Sequence, residues 1–203
     1  MVRNALLLSL SFSIALLSAC AIGPRTQEGM AIYDFGLPRT DKEAAPRLQQ
    51  DLVVAEVAAP AWMDNSGIYY RLAYRDAAQP RAYALSHWVM SPAALLGQRL
   101  RANIARASKA GVFTSADGVR AGNTLRLELE EFSQVFDAPQ NSHAVLRLRA
   151  SLIRQRSVVA QQTFEIDQAA ATPNAEGGVR ALIAASDAAS EKLIAWLAAS
   201  LGK

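Results

Sequence analysis

The spacing of apolar side chains divides the chain into an apolar leader, a weakly patterned stretch, and then a series of strand-like and helix-like periods. Leu52-Val53-Val54-Ala55-Glu56-Val57 is a β-branched run that predicts a strand. Asn65-Ser66-Gly67 reads as a turn. Beyond it Ile68, Tyr70, Leu72 and Tyr74 alternate with Tyr69, Arg71, Ala73 and Arg75. That period of two predicts a strand with Tyr70 facing inward and Tyr69, Arg71 and Arg75 facing outward. Arg81 to Met90 is expected to return as a further strand carrying Tyr83, Leu85, His87 and Trp88.

At Ser91-Pro92 the period changes. Serine suits an N-cap and proline the first helical position, where its missing N–H costs nothing. Leu96, Leu100, Ile104 and Ala107 then form one stripe, and Gly111 is expected to close the helix as a left-handed cap after about five turns. Three strands follow. Leu125, Leu127 and Leu129 oppose Arg126, Glu128 and Glu130, with a bulge expected at Glu131-Phe132. Ala144, Leu146, Leu148, Ala150 and Leu152 oppose Arg147, Arg149 and Ser151. Val158, Ala160, Phe164 and Ile166 are expected to share a face opposite Gln161, Thr163 and Glu165. A last helix is predicted from Asn174 or Ala175 to near Leu201, with Leu182, Ser186, Ala189, Leu193, Trp196 and Leu197 on one side. Strands with one polar face and two helices needing cover predict an α+β fold, a mainly antiparallel sheet with two helices packed on one face.

The two ends of the weakly patterned region carry different information. Arg3 precedes an apolar stretch from Ala5, and Leu17-Ser18-Ala19-Cys20 closes it with small residues, as in a secretory signal. A membrane span needs about 20 apolar residues, and this run is shorter and followed by Gly23-Pro24. The same four residues fit a lipobox, which predicts cleavage between Ala19 and Cys20 with diacylglycerol and an N-acyl chain such as palmitate on Cys20. Two or more chains anchor a protein firmly. Ala21 in place of Asp favours sorting to the outer membrane, as in the lipoproteins this start is similar to. Domain boundaries follow as a signal at 1–19, a lipidated tether at 20–50 and a folded domain at 51–203. The run Ile32-Tyr33-Asp34-Phe35 is a candidate extra strand that would move the domain start to near residue 30.

Charge and chemistry narrow the function classes. A net charge of +3 over 203 residues argues against nucleic-acid binding. Cys20 is the only cysteine, so no intrachain disulfide or thiolate metal cluster is possible, and no metal site or cofactor besides the lipid is expected. The two histidines, His87 and His143, are expected to be structural or solvated, and no G-x-S-x-G or H-E-x-x-H pattern accompanies them. No catalytic residues are expected. Glu130 and Glu131 face apart unless a bulge intervenes, and Glu176-Gly177-Gly178 reads as a helix start rather than an anion cradle. Tyr69, Arg71 and Trp88 are the candidate partner contacts; for Trp88, core packing is an equal alternative.

Taken in order, Ile68-Tyr69-Tyr70-Arg71-Leu72, Tyr83, His87-Trp88 and Pro92 with Leu95-Leu96 resemble the ABC-type transport auxiliary lipoprotein family. The Leu125–Phe132 strand, Arg147-Leu148-Arg149 and the final helix with Trp196-Leu197 continue the resemblance, which spans roughly residues 30 to 200. It implies a non-enzymatic, periplasm-facing component of an MCE-type lipid transport system, like paraquat-inducible protein C. The implied partners are an MCE-domain protein and its ABC transporter, with a homo-oligomer also implied. The rival expectation is a lipoprotein assisting assembly of another envelope complex.

Overall fold

The computed structural model describes residues 29–37 and 47–202. The signal, Ala19, Cys20 and much of the expected tether lie outside the described residues. The elements in chain order are β1 (Ala31–Tyr33), β2 (Leu52–Ala58), β3 (Gly67–Leu72), β4 (Asp76–Trp88), α1 (Pro92–Arg106), β5 (Val112–Thr114), β6 (Asn123–Ala138), β7 (Asn141–Arg154), β8 (Ser157–Ala169) and α2 (Ala175–Leu201). A short 3-10 turn, Ala61–Met63, links β2 to β3.

Alternating apolar positions build the long strands as expected. Leu125, Leu127 and Leu129 of β6 and Ala144, Leu146, Leu148, Ala150 and Leu152 of β7 are all buried in one core. Phe164 and Ile166 of β8 join them, but Val158 is exposed, because a register irregularity where Ile153 pairs with Val158 turns the start of β8 outward.

The sheet is mixed, which corrects the expectation of a mainly antiparallel one. β3–β4, β6–β7 and β7–β8 are antiparallel. β1–β4, β2–β5, β2–β6 and β3–β6 are parallel. The physical reason is the length of β6. One edge is covered along its length by β7, from Asn123 opposite Arg154 to Ala138 opposite Asn141. The other edge is shared: β2 takes Asn123 to Glu128, and β3 takes Gln134 to Phe136. The sheet therefore forks on that side of β6. β2 and β3 reach the same edge from opposite ends of the Pro60–Gly67 connection, and both run parallel to β6. A bulge between Leu129 and Glu131 lies between the two pairings, one residue from the expected position.

α1 starts at Pro92 with Ser91 as its cap residue, and Leu96, Leu100, Ile104 and Ala107 are buried along its inner stripe. It ends at Arg106, about four turns long. Gly111 is not its cap; Ala107 is, with ordinary negative φ. Gly111 instead lies against the Phe113 ring, where a Cβ would stand 2.4 Å from Cζ, and its N–H donates to Asp51 at 2.8 Å. α2 has the predicted bounds. The Asn174 side chain accepts the Gly177 N–H at 2.9 Å, satisfying one donor of the first turn.

The two helices share one core with the sheet. Arg99 of α1, only 6% exposed, joins them: it lies 3.7 Å from Asp187 of α2 and donates to the Phe35 carbonyl after β1. Phe35 closes the core by meeting Trp88 edge-on at 5.5 Å and stacking on Phe132 at 6.0 Å. The stretch expected to be tether thus contributes to the domain at two places. β1 forms within it, and Leu48 is buried, with the Arg47 and Leu48 N–H groups both bonded to the Ala107 carbonyl.

Candidate functional site at the fork of the sheet

The fork is built from short-range sequence features. Asn65 makes the turn after the 3-10 segment, its Oδ1 accepting the Gly67 N–H at 2.8 Å. A Cβ on Gly67 would fall 2.9 Å from that same oxygen, so the turn requires glycine. The Asn65 amide also donates to the Trp62 carbonyl at 2.9 Å. The turn thereby fixes the 3-10 segment that carries Trp62 beside β3.

On this frame Trp62, Tyr69, Arg71 and Glu131 form one interlocked group. The Trp62 and Tyr69 rings meet edge to face at 5.0 Å, and the Tyr69 hydroxyl donates to the Trp62 carbonyl at 2.8 Å. The Arg71 guanidinium lies 5.5 Å from the Trp62 ring centroid. Its Nη2 donates to Glu131 Oε2 at 2.9 Å, and its Nη1 donates to the Ala77 carbonyl at 3.1 Å. The bulge in β6 separates the two neighbouring carboxylates: Glu131 goes to Arg71, while Glu130 pairs with Arg149 of β7. They do not form a shared acid–base pair.

Two grooves flank the end of β2. One, about 490 Å³, runs between β2 and the start of α1, over small residues including Ala58, Ala59, Ala93 and Gly97, with Glu56, Asp64 and Arg101 as its charges. The other, about 290 Å³, lies inside the fork between Ala58-Ala59-Pro60 and Glu128-Leu129-Glu130. Small side chains on shared walls leave room for another chain, and charges of both signs on the larger groove and two glutamates on the smaller give it polar partners.

Of the three candidate contact residues, Tyr69 and Arg71 lie together at this fork and Trp88 does not. Arg71 is half-buried, not free on an outer face as expected, because Trp62 and Glu131 cover it. Trp88 is 2% exposed in the core, so of its two readings packing holds, and it is corrected as a contact. Tyr70 packs against Tyr83 at 4.6 Å. His87 is half-buried on β4, with Nδ1 buried and lacking a hydrogen-bond partner. His143 lies 3.0 Å from Asp137 and 4.0 Å from Asp167 at the β6–β7 hairpin. Gly177 and Gly178 are packing glycines: a Cβ on Gly178 would stand 2.1 Å from Gln134 Oε1. Among the described residues no group of His, Cys, Asp or Glu is arranged to hold a metal ion, and no helix is long and apolar enough to cross a membrane.

Sequence reasoning missed Trp62, the centre of the group. Its signal is a large aromatic placed between Pro60 and the Asn65-Ser66-Gly67 turn, where a connection needs no apolar bulk. It also missed the buried polar chain in which the Tyr83 hydroxyl donates to Gln134 Oε1 at 2.8 Å and Gln134 Nε2 donates to Ser142 at 2.8 Å. Burial, then the neighbouring Tyr70, pushes the Tyr83 hydroxyl well above the usual phenol range.

The fold is similar to two solved structures. One is the crystal structure of protein XCC0632 from Xanthomonas campestris, with a TM-score of 0.72 at 19% identity over 84% of this chain and 96% of that one. The second is an uncharacterized protein, with a TM-score of 0.64 at 15% identity over 84% of this chain and 99% of that one. At such identities the likeness concerns the fold alone. No curated protein matches the sequence. The family model for the ABC-type transport auxiliary lipoprotein component matches residues 33–194, from β1 into α2, and the chain belongs to that family.

Proposed function

We propose that the protein is the lipid-anchored accessory component of an MCE-type ABC lipid transport system, docking the machine at the periplasmic face of the outer membrane. Family membership over residues 33–194 is the observation that carries this reading. The lipobox at Leu17–Cys20 supplies the anchor, with diacylglycerol and N-acyl chains on Cys20. The fork supports a docking role: Tyr69, Arg71 and Glu131 hold Trp62 in the connection that follows Ala58-Ala59-Pro60, the segment lining both grooves, so a partner chain meets a preorganised edge. The partner proposed for this edge is the MCE-domain protein, and self-association of the accessory component is part of the same proposal.

The test is purification of the C-terminally tagged protein from envelope membranes in mild detergent, with mass spectrometry of what accompanies it. The expected result is an MCE-domain protein together with its ABC subunits, and a lipidated Cys20 in the tagged chain. Recovery of a different envelope assembly without an MCE protein would replace this reading with assistance to that assembly.

A further inference from the structure

β1 and β4 carry a cluster of exposed aliphatic side chains on the face turned away from the core. Ala31 pairs with Ser86 and Tyr33 with Trp88, and those partners are buried. Ile32 pairs with His87, so Ile32, His87 and the residues two places either side of His87 point the other way. Ile32 is 65% exposed, Leu85 54% and Val89 55%; Met30, two residues before Ile32, is 62% exposed. Ile32 is the diagonal neighbour of both Leu85 and Val89, about 7–8 Å from each, while Leu85 and Val89 lie about 13 Å apart along the chain. Single exposed aliphatics are ordinary; four grouped across the edge strand β1 and its neighbour β4 form a patch that calls for an occupant.

We infer that this β1–β4 patch seats on the surface of the phospholipid bilayer. The inference rests on the anchoring reading for its geometry. Met30 is ten residues from Cys20, and ten residues span at most about 35 Å when fully extended. The lipidated end of the chain therefore leads into the patch, and β1 is tethered within that reach of the membrane. The chemistry matches a lipid boundary better than a protein one. The patch is aliphatic, without the Trp, Tyr or Arg anchors that dominate protein interfaces. Neither Met30–Asp34 nor Leu85–Val89 contains Lys or Arg, so attraction comes from apolar burial and not from headgroup charge.

The experiment uses the mature chain with Cys20→Ser, which has no lipid of its own, floated with vesicles of phosphatidylethanolamine and phosphatidylglycerol. The expected result is co-flotation that survives high salt, and weakening by roughly tenfold for each of Ile32→Ser and Leu85→Ser. Both side chains point to solvent, so melting temperature is expected to stay unchanged and serves as the folding control. No flotation, flotation abolished by salt, or flotation indifferent to these substitutions would each overturn the inference. So would sedimentation as an oligomer that Ile32→Ser dissociates without vesicle binding, which assigns the patch to a second copy. Because the test protein carries no lipid, its outcome is independent of whether Cys20 is acylated in cells, which mass spectrometry of the native chain reads separately.

Discussion

At the scale of single residues, the fork depends on a half-buried ion pair. Arg71 and Glu131 are 18% and 19% exposed in their side chains and close the group around Trp62. Arg71→Ala removes the stacking partner of Trp62 and leaves a partly desolvated carboxylate, and is expected to cost about 1–2 kcal/mol. A double-mutant cycle with Glu131→Gln in urea checks this; the double variant should lose less than the sum of the singles. Tyr83 supplies a second residue-scale test. Its hydroxyl, raised above the ordinary value of 10.0 by burial, favours the neutral form in the folded state. The folded protein therefore binds more protons than the unfolded chain above pH about 10, and stability falls as pH rises through that window. Wild type should lose stability more steeply there than Tyr83→Phe, measured by denaturant midpoints across alkaline pH. Alternation identified Tyr69 and Arg71 as a pair on one face. It did not reveal that a neighbouring connection covers that face, since Trp62 reaches them from outside the strand.

At the scale of elements, the period of a segment is local information and the identity of its neighbouring strand is not. The stripe of Leu96, Leu100 and Ile104 and the bounds of α2 follow from sequence because they are local, set by caps and by a 3.6-residue repeat. Parallel pairing of β2 and β3 with one edge of β6 is non-local, and a period of two says which side chains are buried without saying which strand lies beside them. The turn between β7 and β8 was equally hidden. Gln155 and Arg156 both adopt positive φ, at 49° and 70°, without the glycine that usually marks such a hairpin. Packing likewise overrides propensity at the start of α2. Alanine is the better helix former, yet at Gly178 its methyl would collide with Gln134, which Tyr83 and Ser142 hold in place. Gly178→Ala is expected to destabilise the protein by about 1–3 kcal/mol, measured as a lowered urea midpoint. An unchanged or raised midpoint would mean that Gln134 moves aside freely.

At the scale of the whole molecule, one core ties β1, both helices and the forked sheet into a body with chemically different faces. The aliphatic β1–β4 face suits a membrane surface, and the grooves around the end of β2 suit a partner chain. The lipobox and the order of Tyr, Trp and Pro landmarks carry the family in sequence, because that order is local information along the chain. The faces were not legible there, because each is assembled from residues far apart in the chain. Asp64 is exposed, next to Trp62's turn and on the rim of the larger groove, so it samples the proposed docking wall without belonging to the Trp62–Arg71 group. The most direct test of the account is a photo-crosslinking amino acid placed at Asp64 in cells, with Val158 on the distant strand β8 as the control position. The account predicts a crosslink from Asp64, and not from Val158, to an MCE-domain protein. A crosslink to another envelope protein, or equal labelling from both positions, would contradict it.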